Sequence, residues 1–220
     1  MGDIFQFEWV RSLQGELTGP VLEIGSKRYG GPPVFFDYRT LFPKGFYYLG
    51  VDVEAGEGVD LMLDMSSESA GIRAQLDGRT FNTIICLSVL EHVRDVFAFA
   101  RNVSEILNDH GALVLSVPFA WGVHAYPDDY WRFTPNAVRY LFSGLQFDNK
   151  NSWLHTISGR KLRLDSSEDY NSFIFPPGMS KSEYGGFPWL LEDSMFDMVG
   201  RKASTWMLSI GADSQSGGSR

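Results

Sequence analysis

Val21-Leu22-Glu23-Ile24-Gly25 is a short apolar run that stops at a glycine, and the pattern recurs along the next hundred residues. Phe46–Asp52, Val59–Asp64, Phe81–Leu87 and Ala112–Val117 repeat it, the last stopped by Pro118. Runs this short and this continuously apolar read as strands buried on both faces. Between the last two, Val93, Val96, Phe97, Ala100, Val103, Ile106 and Leu107 fall at helical spacing. That spacing predicts a helix over Val89–Asn108, with Asn108-Asp109-His110-Gly111 as its exit. Apolar strands separated by helices give an open, mostly parallel α/β sheet covered on both sides.

Outward from this block the signals thin. Phe5, Trp9, Leu13 and Leu17 recur every fourth residue, an amphipathic helix ended by Gly19-Pro20. Thr134-Pro135 caps a predicted helix through Leu141, with proline in the first turn. Residues 145–153 and 204–210 read as late strands. The aromatic, Pro- and Gly-rich stretch between them, with Phe173-Ile174-Phe175-Pro176-Pro177-Gly178, reads as a substrate-side insert over about 154–200. The expected organisation is an N-terminal helix over 1–19, one domain over 20–212 and a flexible Gly/Ser tail over 213–220. The expected fold is doubly wound and Rossmann-like, with a mostly parallel seven-stranded sheet.

Composition narrows the partners. The 220 residues carry 27 acidic against 19 basic side chains, a net charge of −8, and 44% are hydrophobic. An acidic chain is poorly suited to a phosphate backbone, so no nucleic acid is expected and a small molecule is. Cys86 is the one cysteine, which excludes a disulfide framework and a cysteine zinc site and fits a reducing cytoplasm. Met1–Val10 contains Asp3 and Glu8 and lacks a basic leader pattern, so no signal peptide is expected. No apolar run reaches membrane-spanning length, so no membrane partner is expected either.

In open α/β sheets ligands bind beyond the carboxyl ends of the strands. Here those ends carry Glu23 before Gly25-Ser26, then Asp52, Asp64 and Leu87-Ser88. A single aspartate at a strand end commonly caps a turn. Three carboxylates at three successive strand ends instead suit the amine, ribose diol and amino edge of a nucleoside-type cofactor. A dinucleotide is disfavoured, and a nicotinamide-dependent oxidoreductase with it. Gly25-Ser26-Lys27-Arg28-Tyr29-Gly30 has only the first and last glycines of the G-x-G-x-x-G fingerprint.

Val21–Ser26, Tyr48–Asp52, Gly58–Asp64 and Phe81–Val93, with Leu90-Glu91-His92-Val93 after the fourth strand, resemble the successive motifs of the class I S-adenosylmethionine-dependent methyltransferases of the type 11 group. The resemblance spans roughly residues 20–145. It implies S-adenosylmethionine as cofactor, with Glu23, Gly25 and Ser26 along its methionine part. Asp52, followed by Val53, would take the ribose, Asp64 and Met65 the adenine, and Leu87 and Ser88 the methyl-bearing end. The chain departs from the family pattern in two places. Lys27 stands where the first motif has a second glycine, and Pro32-Pro33 lengthens the path from Glu23 to Asp52. The implied activity is methyl transfer to a small molecule or sugar, at a hydroxyl. A methyltransferase-like protein that binds cofactor or a partner without catalysis is the alternative.

A hydroxyl acceptor needs a base. His92, at the start of the predicted helix, and His124, beyond the fifth strand, are candidates, each weighed against a merely structural hydrogen-bonding role. Around His124 lie Asp128, Asp129, Tyr130, Trp131, Arg132 and Phe133. This loop reads either as an Asp129–Arg132 clamp, or as an acceptor site with His124 as base oriented by Asp129, or as a metal site of His124, Asp128 and Asp129. Ubiquinone-pathway methyltransferases carry a metal-binding Glu-x-x-Glu-His. Ser88 replaces the first glutamate here, and no metal is expected.

Overall fold

Each apolar run of the first half forms a strand in the computed structural model, which describes residues 4–28, 36–124, 127–156, 158–164 and 194–203. The order is α1 (Ile4–Ser12), β1 (Val21–Ile24), β2 (Tyr48–Asp52), β3 (Leu61–Met62), α2 (Ser69–Gln75), β4 (Phe81–Leu87), α3 (Val96–Ile106) and β5 (Leu107–Ala120). There follow α4 (Pro135–Leu141), β6 (Leu145–Phe147), β7 (Trp153–Thr156), β8 (Lys161–Arg163) and β9 (Ser194–Lys202). The sheet runs β3-β2-β1-β4-β5-β9-β7-β8, with β6 also on β9. Among the described residues it has nine strands rather than the seven expected. β1 to β5 are parallel, and β9 enters antiparallel against β5. Chain order runs outward through β2 and β3, then resumes at β4 on the other side of β1. The crevice between β1 and β4 is therefore the switch point where a ligand fits.

Strand alternation assigns the two layers. Leu22, Ile24, Ile84, Cys86, Leu113, Leu115 and Val117 face α2, α3 and α4 in one apolar cluster. Val21, Ile85, Leu87 and Val114 face Trp9, Val10 and Leu13 of the N-terminal segment in the other. α1 is thus part of one sheet cover rather than a detached leader.

Several boundaries differ from the sequence-based expectation. The N-terminal helix ends at Ser12 and gives way to a 3-10 turn over Gln14–Glu16, rather than running to Gly19-Pro20. The expected exit Asn108–Gly111 is already strand, because β5 starts at Leu107 directly after α3. The predicted helix over Val89–Asn108 starts only at Val96, because Asp95 caps it by accepting from the Ala98 amide. Leu90–His92 is instead a separate 3-10 turn, so His92 does not begin the helix. β5 continues through Pro118. β4 has already ended at Leu87, opposite Ser116, so no β4 neighbour calls for a donor at Pro118. The late strand expected over 145–153 is broken into β6 and β7 at Asp148, whose carboxylate accepts from Lys150 N and Asn151 Nδ2. The strand that closes the sheet against β5 is β9, most of which, with all of β8, falls inside the 154–200 range expected to be insert. Residues 204–210 and the tail lie outside the described residues.

Candidate active site

A cavity of about 550 Å³ opens at the carboxyl ends of β1, β2, β4 and β5, within the usual range for a small-molecule site. The end formed by β1, β2 and β3 is shaped by short-range bonds. Gly25 has φ +76°, and a Cβ there would stand 2.2 Å from Val89 Cγ2, so only glycine permits the turn. The buried Asp52 carboxylate is oriented by two amides, Lys27 N at 3.1 Å on Oδ2 and Glu54 N at 3.1 Å on Oδ1. Asp64 Oδ1 accepts from both the amide and hydroxyl of Ser66. α3 fixes the same loop: Asn102 Nδ2 donates to Met65 O and Ser67 O, each at 2.8 Å. Leu63, Met65, Val89 and Phe99 supply apolar walls.

The switch-point turn carries a second strained residue. Ser88 has φ +53°, uncommon for a residue with a Cβ. It is held by its amide on Ser116 O and by Gln6 Nε2, which donates to Ser88 Oγ at 3.0 Å. Gln6 Nε2 also donates to Ser116 Oγ at 2.7 Å; Ser116 Oγ donates to Asp197, and Asp197 Oδ2 accepts from His155 Nδ1 at 2.7 Å. A buried polar chain thus runs from the cavity, which Gln6 and Ser88 line, to β7.

At the other end Glu91 and His92, in the turn after β4, meet the loop that follows β5. The amides of Tyr130 and Trp131 donate to Glu91 O, and Trp131 Nε1 donates to Val93 O. Asp129 and Arg132 form the expected clamp: Nη1 and Nη2 reach the two carboxylate oxygens at 2.5 and 2.8 Å, and Arg132 also donates to Trp121 O and Gly122 O. The guanidinium holds the Asp129 carboxyl well below the usual carboxylate range. Asp129 in turn accepts from the His124 amide and lies 3.3 Å from His124 Nδ1. Glu91 is 1% exposed, its Oε2 has no hydrogen-bond partner, and burial raises its pKa to about 7. Burial lowers the pKa of His92.

The structure brings Gly25, Asp52, Val53, Asp64, Met65, Ser88, His92 and His124 to the cavity wall. Glu23, Ser26, Leu87 and Asp129 stand outside it. Glu23 lies on the α1 side of β1, where Tyr48 Oη donates to it at 2.6 Å and burial pushes its pKa up to about 7. Leu87 is core on the same side. Ser26 tucks against Gly50, its hydroxyl buried without a hydrogen-bond partner. Asp129 works behind His124 rather than on the cavity. Gln6, Trp121, Tyr130 and Met195 also line the cavity, though none is among the site residues expected from sequence. Glu91 lines it too and enters the sequence expectations only as part of a motif. Gln6 left a trace, a polar residue three, four and seven positions before the apolar Trp9, Val10 and Leu13.

Residues 14–164 match the family model described as a methyltransferase domain. Among curated proteins none matches the chain in sequence. Solved structures are similar in fold. The N-methyltransferase NodS from Bradyrhizobium japonicum, in complex with S-adenosyl-L-homocysteine, is 13% identical with a TM-score of 0.53, covering 91% of this chain and 86% of its own. The YcgJ protein from Bacillus subtilis is 15% identical at 0.57, covering 92% and 100%. A 1,6-didemethyltoxoflavin-N1-methyltransferase from Burkholderia thailandensis, with that compound and S-adenosylhomocysteine bound, is 13% identical at 0.55, covering 91% and 78%. The ordered Asp52 carboxylate, the glycine turn and the apolar walls fit an adenosyl cofactor. The chain belongs to the methyltransferase-domain family and is a class I S-adenosylmethionine-dependent methyltransferase.

Proposed function

We propose that the chain methylates a hydroxyl group of a small molecule or sugar. The observation that carries this reading is the convergence of Glu91, His92 and His124 at one end of the cavity, their ligand atoms within 4.8 Å of one another. S-adenosylmethionine supplies an electrophilic methyl group on a sulfonium. An acceptor hydroxyl must lose its proton as it attacks, and a carboxylate with two imidazoles offers places for that proton. His92 Nδ1 is spent on Asp128 O, and His124 Nδ1 on Gly122 O. A carbonyl only accepts, so both Nδ1 atoms are protonated and both neutral rings keep Nε2 as the acceptor.

The other proposed roles follow from position. Asp52 is placed for the ribose hydroxyls, Val53, Asp64 and Met65 for the adenine, and Gly25 and Ser88 for the methionine end. Trp121, Pro127 and Tyr130 wall the acceptor end, where excluding water strengthens each polar contact. Methyl-labelled S-adenosylmethionine, offered with panels of hydroxylated and aminated small molecules, tests the reading. Label in an ether linkage is the expected result, and label found only on nitrogen overturns the hydroxyl assignment.

A further inference from the structure

The geometry points to a divalent transition-metal site formed by Glu91, His92 and His124 at the acceptor end of the cavity. This inference rests on the proposed methylation and specifies how the acceptor is held. From sequence alone no metal is expected, and the alternative trio there is His124, Asp128 and Asp129. The structure selects a different set. Asp129 is engaged by Arg132, and Asp128 Oδ2 accepts from Tyr130 Oη. Glu91, His92 and His124 are left facing one point.

Three observations carry the assignment. The ligand atoms lie within 4.8 Å of one another, with His92 Nε2 3.9 Å from Glu91 Oε1 and the two rings edge to face at 4.9 Å. Bonds of about 2.1 Å place ligands roughly 3.4 Å apart, so side-chain adjustments of about an ångström would close the site. Glu91 Oε2 is buried and has no hydrogen-bond partner. An unpaired buried carboxylate is costly, and a cation is one of the few things that offsets the cost. Finally, each imidazole donates Nδ1–H to a backbone carbonyl, Asp128 O at 2.5 Å and Gly122 O at 3.1 Å. Such outer bonds fix the ring and aim the lone pair of Nε2, as in established histidine metal sites.

The donor set selects the ion. Two imidazoles and one carboxylate suit Zn²⁺ and its transition-series neighbours, whereas Mg²⁺ and Ca²⁺ demand oxygen shells. Three protein ligands leave coordination positions for a substrate, and His92, His124 and Glu91 all line the cavity. An acceptor hydroxyl entering from the cavity would complete the shell; with Glu91 and both Nε2 atoms committed to the ion, the ion would lower the pKa of that hydroxyl and its proton would pass to solvent rather than to the histidines.

The test is calorimetric titration of the chelator-stripped full chain with ZnCl₂, beside a parallel titration with S-adenosylhomocysteine. One Zn²⁺ per chain is expected, with no comparable uptake of Mg²⁺. Zn²⁺ affinity should fall at least tenfold in His124→Ala, in His92→Ala and in the near-isosteric Glu91→Gln, while the S-adenosylhomocysteine affinity of these variants stays within about threefold. Exposed His110 serves as control, and His110→Ala should leave Zn²⁺ binding unchanged. A wild-type chain that binds S-adenosylhomocysteine but no Zn²⁺ overturns the site and leaves hydroxyl methylation standing. So does Zn²⁺ binding that survives both His124→Ala and Glu91→Gln. Zn²⁺ bound as expected, in an enzyme that labels only nitrogen, instead overturns the hydroxyl reading and keeps the metal.

Discussion

At the proposed cofactor end of the cavity the two carboxylates, Asp52 and Asp64, are fixed by backbone amides of neighbouring strand ends and turns. Asp64 is held by Ser66, and Asp52 by Glu54 and by Lys27 of the adjacent strand end. At the acceptor end the corresponding groups, Glu91, His92 and His124, come from two loops more than thirty residues apart. They meet only because amides of 130–131 dock on Glu91 O and Arg132 clamps the loop. The first construction is set once the parallel strands register, the second only after β5 and the following loop are in place. Changes at the acceptor end should therefore alter turnover while sparing cofactor binding, and changes at the cofactor end should do the reverse.

The largest expected effect is His124→Ala. If His124 acts on the acceptor as proposed, its removal should lower kcat by about 10²–10⁴-fold, with S-adenosylhomocysteine affinity within about threefold of wild type. If the loop served only as a clamp, the variant would lose melting temperature and keep its turnover per folded molecule. Measuring both quantities on one preparation separates the two ends.

Asp52→Ala probes the other end. A charged carboxylate that holds the ribose diol, as proposed for Asp52, should cost roughly 1.5–3 kcal/mol when lost. Calorimetry should show S-adenosylhomocysteine binding weakened by about ten- to a hundredfold. Unchanged affinity would mean that the ribose is held elsewhere and would undo the contrast drawn between the ends.

This contrast also explains what was legible in the sequence. Strand positions, the central place of β1 and the Gly25, Asp52 and Asp64 cluster follow from apolar runs and the residue that ends each. Those signals are local, as is the bonding they produce. Glu23 stands off the cavity because a strand alternates its faces: beside Ile24, which lines the cavity, it points the other way, to Tyr48. Leu87, beside Ser88, likewise faces the α1 layer. The acceptor end depends on which loop docks on which, and neither periodicity nor spacing encodes that. β9 escaped notice because Asp197 and Gly200 interrupt its apolar pattern. Asp197 is polar for the sake of Ser116 and His155, partners distant in sequence.

Glu23 offers a third test, now of stability. Its pKa is raised to about 7 by burial, against an opposing bond from Tyr48. Between its ordinary value near 4.5 and about 7, the folded chain keeps a proton that the unfolded chain releases. Stability must therefore fall as pH rises through that window, and the loss is complete above it. Glu23→Gln removes the titration, so the variant should gain on the wild type by about 1–3 kcal/mol between pH 4.5 and 8. Denaturant melts across that range decide it. Parallel curves for the two proteins would show that Glu23 carries no such penalty.

The smallest effect is expected where the two ends touch. Gln6 bridges Ser88, in the switch-point turn, and Ser116, beneath the acceptor loop, and it reaches them from α1 on the far side of the sheet. Gln6→Ala would strip both hydroxyls of a donor and open a small gap under Ser88. A net loss of about 1–2 kcal/mol in folding stability should follow, as for buried hydrogen bonds left half-made. Because Ser88 holds φ +53° with that bond in place, the turn should also relax. Cofactor affinity and kcat should then each fall a few-fold, together rather than separately. A variant that lost stability but kept both functional constants would confine Gln6 to the core. A fall in kcat alone would assign it to the acceptor end. Only the joint decline places α1 as the support common to the two ends.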